Sequence, residues 1–257
     1  MADALRVFIT GASSGLGAAL AAHYASHGAQ LGLVGRRADA LAQVADALPG
    51  ESARYIADVA DAAAMAAAAQ DFLQRFGTPD IVIANAGVSV GTLTEYAEDS
   101  PVFARVLQTN VIGPVNTFQP FIAPMRAAGR GRLVGIASVA GVRGVPGAGA
   151  YSASKAAAIS YLESLRVELH TSGVRVVTVS PGYIATPMTA VNKYSMPFML
   201  PADVAARRIA RVIAQGRRFA VVPWQMAIVA RIMKFLPPWA YDRLAYRAGR
   251  KPRGLET

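Results

Sequence analysis

The chain has no cysteine and only three histidines in 257 residues. Without cysteine, neither a disulfide framework nor a thiolate metal site is possible. His23, His27 and His170 stand in no metal-ligand spacing, so a His-rich metal centre has nothing to build on. Long apolar runs are missing too. The best candidate, residues 219–240, is interrupted by Arg231, Lys234, Pro237 and Pro238 and is too broken to span a bilayer. The opening MADALRVFITGASSG enters a strand with no basic stretch leading into an apolar one, so no signal peptide is expected. The expected location is the cytoplasm, with a peripheral contact at the inner membrane surface as an option. Acidic residues are scarce, 16 Asp+Glu against 26 Lys+Arg. The excess is local: residues 201–257 hold 12 basic and 3 acidic side chains, a balance of +9 out of a total of +10.

Hydrophobic residues make up 53% of the chain, enough for one large core. Short, nearly all-apolar runs at 6–10, 31–34, 54–57, 81–84, 132–137, 175–180 and 219–222 read as strands covered on both faces. Between them lie helical patterns at 16–27, 38–48, 61–76, an interval from 95 to 127, 152–171 and 202–215, with Asp61 and Asp203 as helix-start residues. Strand–helix alternation of this kind implies an α/β fold, a doubly wound (Rossmann) parallel sheet of about seven strands. The expected organisation is one dinucleotide-binding and catalytic domain at 1–222 and a basic amphipathic helical appendage at 223–257.

The first strand runs through Thr10-Gly11-Ala12-Ser13-Ser14-Gly15-Leu16-Gly17 straight into a helix. Glycines let the backbone approach a pyrophosphate, and the helix N-terminus offers free N–H groups and a positive dipole end. The spacing T-G-x-x-x-G-x-G resembles the signature of the short-chain dehydrogenase/reductase family. After the second strand comes Gly35-Arg36-Arg37. A carboxylate at that strand end would bind both ribose hydroxyls and repel a 2′-phosphate, whereas guanidinium groups suit a phosphate. An acid is absent and two bases are present, so NADP(H) is the expected cofactor; the alternative is that Arg36 and Arg37 are ordinary solvated charges. The resemblance extends to Asp58-Val59, which matches the family's adenine contact, and to Asn85-Ala86-Gly87, its N-A-G segment beside the cofactor. It also covers Pro181-Gly182-Tyr183-Ile184-Ala185-Thr186, where Ile184 and Thr186 would hold the nicotinamide carboxamide.

Tyr151 and Lys155 stand four apart on a helical pattern, so phenol and ammonium share a face. A nearby Lys⁺ and a positively charged nicotinamide ring would draw a phenol down from its usual value near 10. The Y-x-x-x-K spacing also matches the family. The resemblance makes Tyr151 the acid/base, Ser138 the group that holds the carbonyl oxygen, Lys155 a partner of the nicotinamide ribose, and Asn110 the support of a water-borne proton relay. The resulting expectation is an NADPH-dependent reductase of a small-molecule carbonyl. The same chemistry in the oxidative direction, or a non-catalytic nucleotide-binding membrane module, are the alternatives.

Residues 188–200 (MTAVNKYSMPFML) occupy the family's variable substrate loop. With Val139, Val142 and Tyr183 they suggest a hydrophobic or lipid-like substrate. Two further helices are expected at 224–236 and 239–247. There Trp, Ile, Leu and Phe interleave with Arg and Lys, a pattern that fits an anionic membrane surface, a cap over the pocket or a dimer contact. No recognition motif accompanies the charge, so no nucleic acid is expected. Association as a homodimer or homotetramer, through the helix bearing Tyr151 and the helix before it, is what the resemblance implies.

Overall fold

The computed structural model describes residues 4–247 and 249–254. Residues 1–3, 248 and 255–257, which the expected domain and appendage include, lie outside the described residues. In chain order the strands are β1 (Arg6–Thr10), β2 (Gln30–Gly35), β3 (Ser52–Ile56), β4 (Ile81–Ala84), β5 (Gly131–Ile136), β6 (Val174–Pro181), β7 (Ile184–Ala185), β8 (Leu200–Pro201) and β9 (Phe219–Val222). The helices are α1 (Gly15–Ala25), α2 (Ala38–Asp46), α3 (Ala62–Phe76), α4 (Asp99–Leu107), α5 (Gly113–Ala127), α6 (Gly149–Glu168), α7 (Pro187–Ala190), α8 (Ala202–Ala214), α9 (Trp224–Phe235) and α10 (Pro238–Ala245).

Seven strands form one parallel sheet in the order β3-β2-β1-β4-β5-β6-β9, and β7 pairs with β8 as a separate short ladder. A sheet buried on both faces needs apolar side chains pointing both ways, and β4, Ile-Val-Ile-Ala, is buried throughout. On one face α1, α2 and α8 contribute Leu20, Leu41 and Ile209 to the core; on the other α3, α5 and α6 contribute Phe72, Phe121 and Leu162. The order of the sheet reverses between β1 and β4. Helices therefore leave to opposite sides there and open a crevice beyond the carboxyl ends of the strands.

The differences from the expected elements are local. The third strand begins earlier than residue 54, because Ser52 already pairs with Leu31. Asp61 caps α3, accepting from Ala64 N at 3.0 Å, whereas Asp203 lies inside the first turn of α8, which Pro201 caps, and pairs with Arg207 at 2.8 Å. The interval 95–127 resolves into α4 and α5 joined by a π-helical turn over Gln108–Ile112. A single wide turn of this kind redirects side chains within a continuous helix and recurs at functional sites.

The C-terminal segment does not hang free. Met226 and Ala230 of α9 pack against Val139, next to Ser138. Arg143 donates from Nη1 to the Met233 and Leu236 carbonyls, at 2.8 and 2.6 Å, and so caps the C-terminus of α9 with a cation. Among the described residues no helix is long and apolar enough to cross a membrane.

Candidate active site

A cleft of about 800 Å³ runs along the carboxyl ends of the strands. Its floor is the turn after β1. Gly11 there has φ +68, and a Cβ on it would lie 2.7 Å from Ala86 Cα, so only glycine allows the β1 and β4 loops to approach this closely. A side chain at Gly17 would run into the Gly11 carbonyl oxygen. Asn85 fixes the arrangement, donating from Nδ2 to the carbonyls of Thr10 (3.0 Å) and Gly11 (3.3 Å), while Thr10 Oγ1 accepts from the backbone N–H groups of Asn85 and Ala86. Ser14 is the N-cap of α1, but its side chain makes no capping hydrogen bond, leaving the first N–H groups of the helix for an anion.

Every segment expected to hold a dinucleotide contributes to this one cleft: Gly11 and Ser13 to Gly17, Arg36 with Arg37, Asp58 with Val59, Asn85 to Gly87, and Pro181, Gly182, Ile184 and Thr186. Arg37 Nη2 donates to Ser14 Oγ at 2.9 Å and Ser13 Oγ at 3.3 Å, so guanidinium and hydroxyl groups gather beside Gly35. Arg36 faces Asp58 Oδ2 at 3.4 Å, and Asp58 Oδ1 also accepts from Ala60 N at 2.9 Å. Asp58 thus serves as a loop cap and an ion-pair partner as well as a wall of the cleft. The volume, the exposed helix N-terminus and the cationic end fit a phosphate-bearing dinucleotide.

At the far end of the cleft, α6 places Tyr151 and Lys155 one turn apart, with Lys155 Nζ 5.8 Å from the centre of the Tyr151 ring. Ser138, two residues past β5, lines the cleft beside Tyr151, and its Oγ accepts from Ala140 N at 3.1 Å, which holds the serine as the cap of the turn Val139–Gly141. Lys155 is buried and donates to the Ile136 carbonyl at 2.8 Å. Burial pulls its ammonium down from 10.5 to about 8. Burial pushes the Tyr151 phenol above 10, and the Ser138 hydrogen bond opposes that rise. The Lys155 ammonium is turned onto the Ile136 carbonyl, and burial is the larger influence on the phenol.

Asn110 does not line the cleft. Carried inward by the π turn, it has no exposed surface; its Oδ1 accepts from Val88 N at 2.8 Å and its Nδ2 donates to Val88 O and Ser154 Oγ, each at 2.9 Å. Both amide hydrogens are committed, so the side chain acts as a brace, and a water-borne relay at this residue would have to use its backbone. Ser154, which the motif reading passed over, extends the brace by donating to the Tyr151 carbonyl at 2.7 Å. It lies inside Tyr-Ser-Ala-Ser-Lys, three residues after Tyr151, and that spacing on a helix was the available signal.

The substrate end is built from distant pieces. Tyr183 and Tyr194 approach edge to face at 6.3 Å, and Met226 of α9 packs on Gly182. The loop expected at 188–200 is closed at its base by β7 pairing with β8, and α7 forms within it. Residues 249–254 then cross back over this end. Gly249 lies against Tyr194, the buried Lys251 donates to Ser89 Oγ at 2.9 Å, and Arg253 forks onto Asp99 at 2.8 and 3.2 Å and stacks on Tyr96 at 3.5 Å. No spacing in the sequence connects residues this far apart.

The comparisons agree with this geometry. The family model described as short chain dehydrogenase matches residues 6–195. An uncharacterized oxidoreductase of Myxococcus xanthus is 36% identical over 244 residues, covering 93% of this chain and 95% of that protein. The dehydrogenase/reductase SDR family member 7B of Bos taurus is 33% identical over 268 residues, covering 96% and 82%. The crystal structure of a 3-ketoacyl-(acyl-carrier-protein) reductase from Brucella melitensis, complexed with NADH, superposes with a TM-score of 0.78 at 26% identity, covering 84% of this chain and 94% of that one. The chain belongs to the short-chain dehydrogenase/reductase family and is an oxidoreductase that uses a nicotinamide cofactor.

Proposed function

We propose that this protein is an NADPH-dependent reductase of ketones, with an apolar or lipid-like substrate. The observation that carries the reading is Ser138, Tyr151 and the buried Lys155 lining one end of a cleft whose other end gathers Arg36 and Arg37. When bound, the nicotinamide supplies the hydride. The chain does the rest. Arg37, Ser13 and Ser14 hold the 2′-phosphate, the N-terminus of α1 holds the pyrophosphate, and Ile184 with Thr186 orients the carboxamide. Ser138 donates to the substrate carbonyl oxygen, Tyr151 gives that oxygen its proton as negative charge develops, and the Lys155 ammonium stabilises the phenolate left behind. In the other direction the same groups make an NADP-dependent alcohol dehydrogenase.

The apolar substrate class follows from what borders the reacting end: Val139, Val142, Tyr183, Met226 and Met233 form one apolar cluster, and Tyr194 faces Tyr183. A peripheral contact with an anionic membrane, where such substrates dissolve, belongs to the same reading. We assign the assembly as a homodimer or homotetramer through α6, whose outer face presents Ala153, Ala156, Ser160 and the exposed Val167. Titration of NADPH and NADH by fluorescence, followed by a ketone panel with sphingoid and steroid members, tests the reading. Tighter NADPH binding and turnover of apolar ketones are expected; preference for NADH, or turnover confined to small polar carbonyls, would overturn it.

A further inference from the structure

We infer that the outer face of α9 and α10 is a docking surface for an anionic lipid bilayer, and that it fixes the substrate end of the cleft beside that bilayer. Residues 224, 228, 232 and 235 follow helical spacing, so their side chains share one stripe. That stripe is Trp224, Ile228, Ile232 and Phe235, all exposed, and α10 with the turn that ends it adds Trp239, Leu244 and Tyr246. Trp224 is 66% exposed, Phe235 76% and Trp239 74%. Large aromatics left this far in water on two consecutive helices mark an interaction site. The opposite stripe of α9, Met226 and Ala230, is buried against Val139, so packing within the fold already accounts for the inner face and leaves the outer one unpartnered.

Charge selects the partner. Residues 223–247 carry Arg231, Lys234, Arg243 and Arg247, all exposed, against the single acid Asp242. A second copy docking here about a two-fold axis would set this basic patch against itself, because such a contact uses the same surface on both subunits. An anionic bilayer complements both features: its headgroups attract the arginines and lysine, and its acyl region takes the indole, phenyl and aliphatic side chains. Tryptophan side chains suit the headgroup level.

The surface is rigidly tied to the chemistry. Arg143, in the loop between Ser138 and Tyr151, caps α9 through the Met233 and Leu236 carbonyls and lies over the Tyr241 ring of α10 at 4.3 Å. Val139, the residue after Ser138, carries the inner face of α9. A bilayer touching the outer face is therefore one helix thickness from the apolar cluster at the reacting end.

The test is flotation of the full chain with vesicles of phosphatidylcholine and phosphatidylglycerol in about a 2:1 ratio, compared with phosphatidylcholine alone. The wild type is expected to float with the anionic vesicles and to remain behind with the neutral ones. The triple variant Trp224→Ser, Phe235→Ser, Trp239→Ser is expected to lose about tenfold in recovery. Arg231→Glu with Lys234→Glu is expected to lose several-fold, as is the wild type in high salt. All three altered side chains of the triple variant are exposed, and an unchanged circular dichroism spectrum and NADPH affinity confirm that it is folded. Equal recovery of wild type and triple variant, equal recovery on neutral and anionic vesicles, or light scattering in which the triple variant alone becomes monomeric would each overturn the inference. It rests on the proposed peripheral contact; flotation needs no turnover, so its failure would leave the hydride-transfer reading standing.

Discussion

At the scale of single residues, burial governs the site. Burial pushes the Tyr151 phenol up from its ordinary value, and Ser138 pulls the other way. Positioned general acids contribute about 10²–10⁴ in rate. Tyr151→Phe is therefore expected to lower kcat by roughly a thousandfold with NADPH affinity little changed, and Ser138→Ala to lower it by about a hundredfold; stopped-flow NADPH oxidation and fluorescence titration separate the two effects. Lys155 is the site's pH-sensitive group. With its value lowered to about 8, kcat/KM for reduction is expected to fall as pH rises past that point, since the neutral amine no longer stabilises a phenolate. The stability consequence has the opposite sign. Between the folded value of about 8 and the unfolded value near 10.5 the native chain binds fewer protons than the unfolded one, so this residue's contribution to stability rises with pH across that window. Lys155→Met removes the cost of burying that charge together with its hydrogen bond to the Ile136 carbonyl, so turnover is expected to be abolished with Tm little changed; a large fall in Tm would contradict this. Arg37→Asp is expected to weaken NADPH about tenfold or more without weakening NADH.

At the scale of elements, the least regular helix is the one that matters most. The π turn between α4 and α5 drives Asn110 into the core, where its amide braces the loop after Asn85-Ala86-Gly87 and the helix that carries Tyr151. Asn110→Ala leaves the Val88 N–H and carbonyl buried without partners, at about 1–3 kcal/mol for each. A Tm lower by roughly 5–10 °C is expected, with kcat reduced through misplacement of Tyr151. Unchanged stability would make Asn110 something other than a brace. Sequence served well wherever a local rule applied. The β1 turn, Gly35-Arg36-Arg37 and Tyr151-Ser-Ala-Ser-Lys155 each state their geometry within a few residues, and the alternation of apolar runs with helical periods implied the seven-stranded sheet. It served poorly where position depends on distant packing. Nothing near Asn110 announces a π turn, the depression or elevation of the Tyr151 phenol depends on burial that no spacing encodes, and the grip of Lys251 on Ser89 and of Arg253 on Asp99 joins residues more than 150 positions apart. Since those contacts close the substrate end, Arg253→Ala is expected to raise KM for the ketone several-fold while leaving NADPH affinity unchanged, together with faster proteolysis of residues 188–200.

At the scale of the whole molecule, charge and apolar surface are segregated. The sheet domain, residues 1–222, carries 19 basic against 14 acidic side chains, whereas the much shorter 223–257 carries 7 against 2 together with most of the large exposed aromatics. The outer face of α6, with small residues around the exposed Val167, is the better surface for a second copy. Val167→Glu is expected to shift the assembly towards monomer in light scattering, whereas changes on α9 leave the assembly intact. The protein stands or falls as an enzyme on Tyr151, with Ser138 and Lys155 beside it in the cleft. The most direct measurement is NADPH consumption with an apolar ketone by the wild type and by Tyr151→Phe, at equal cofactor occupancy verified by fluorescence. Turnover by the wild type and a loss of about a thousandfold in the variant is the expected result; equal rates in the two proteins would contradict the account.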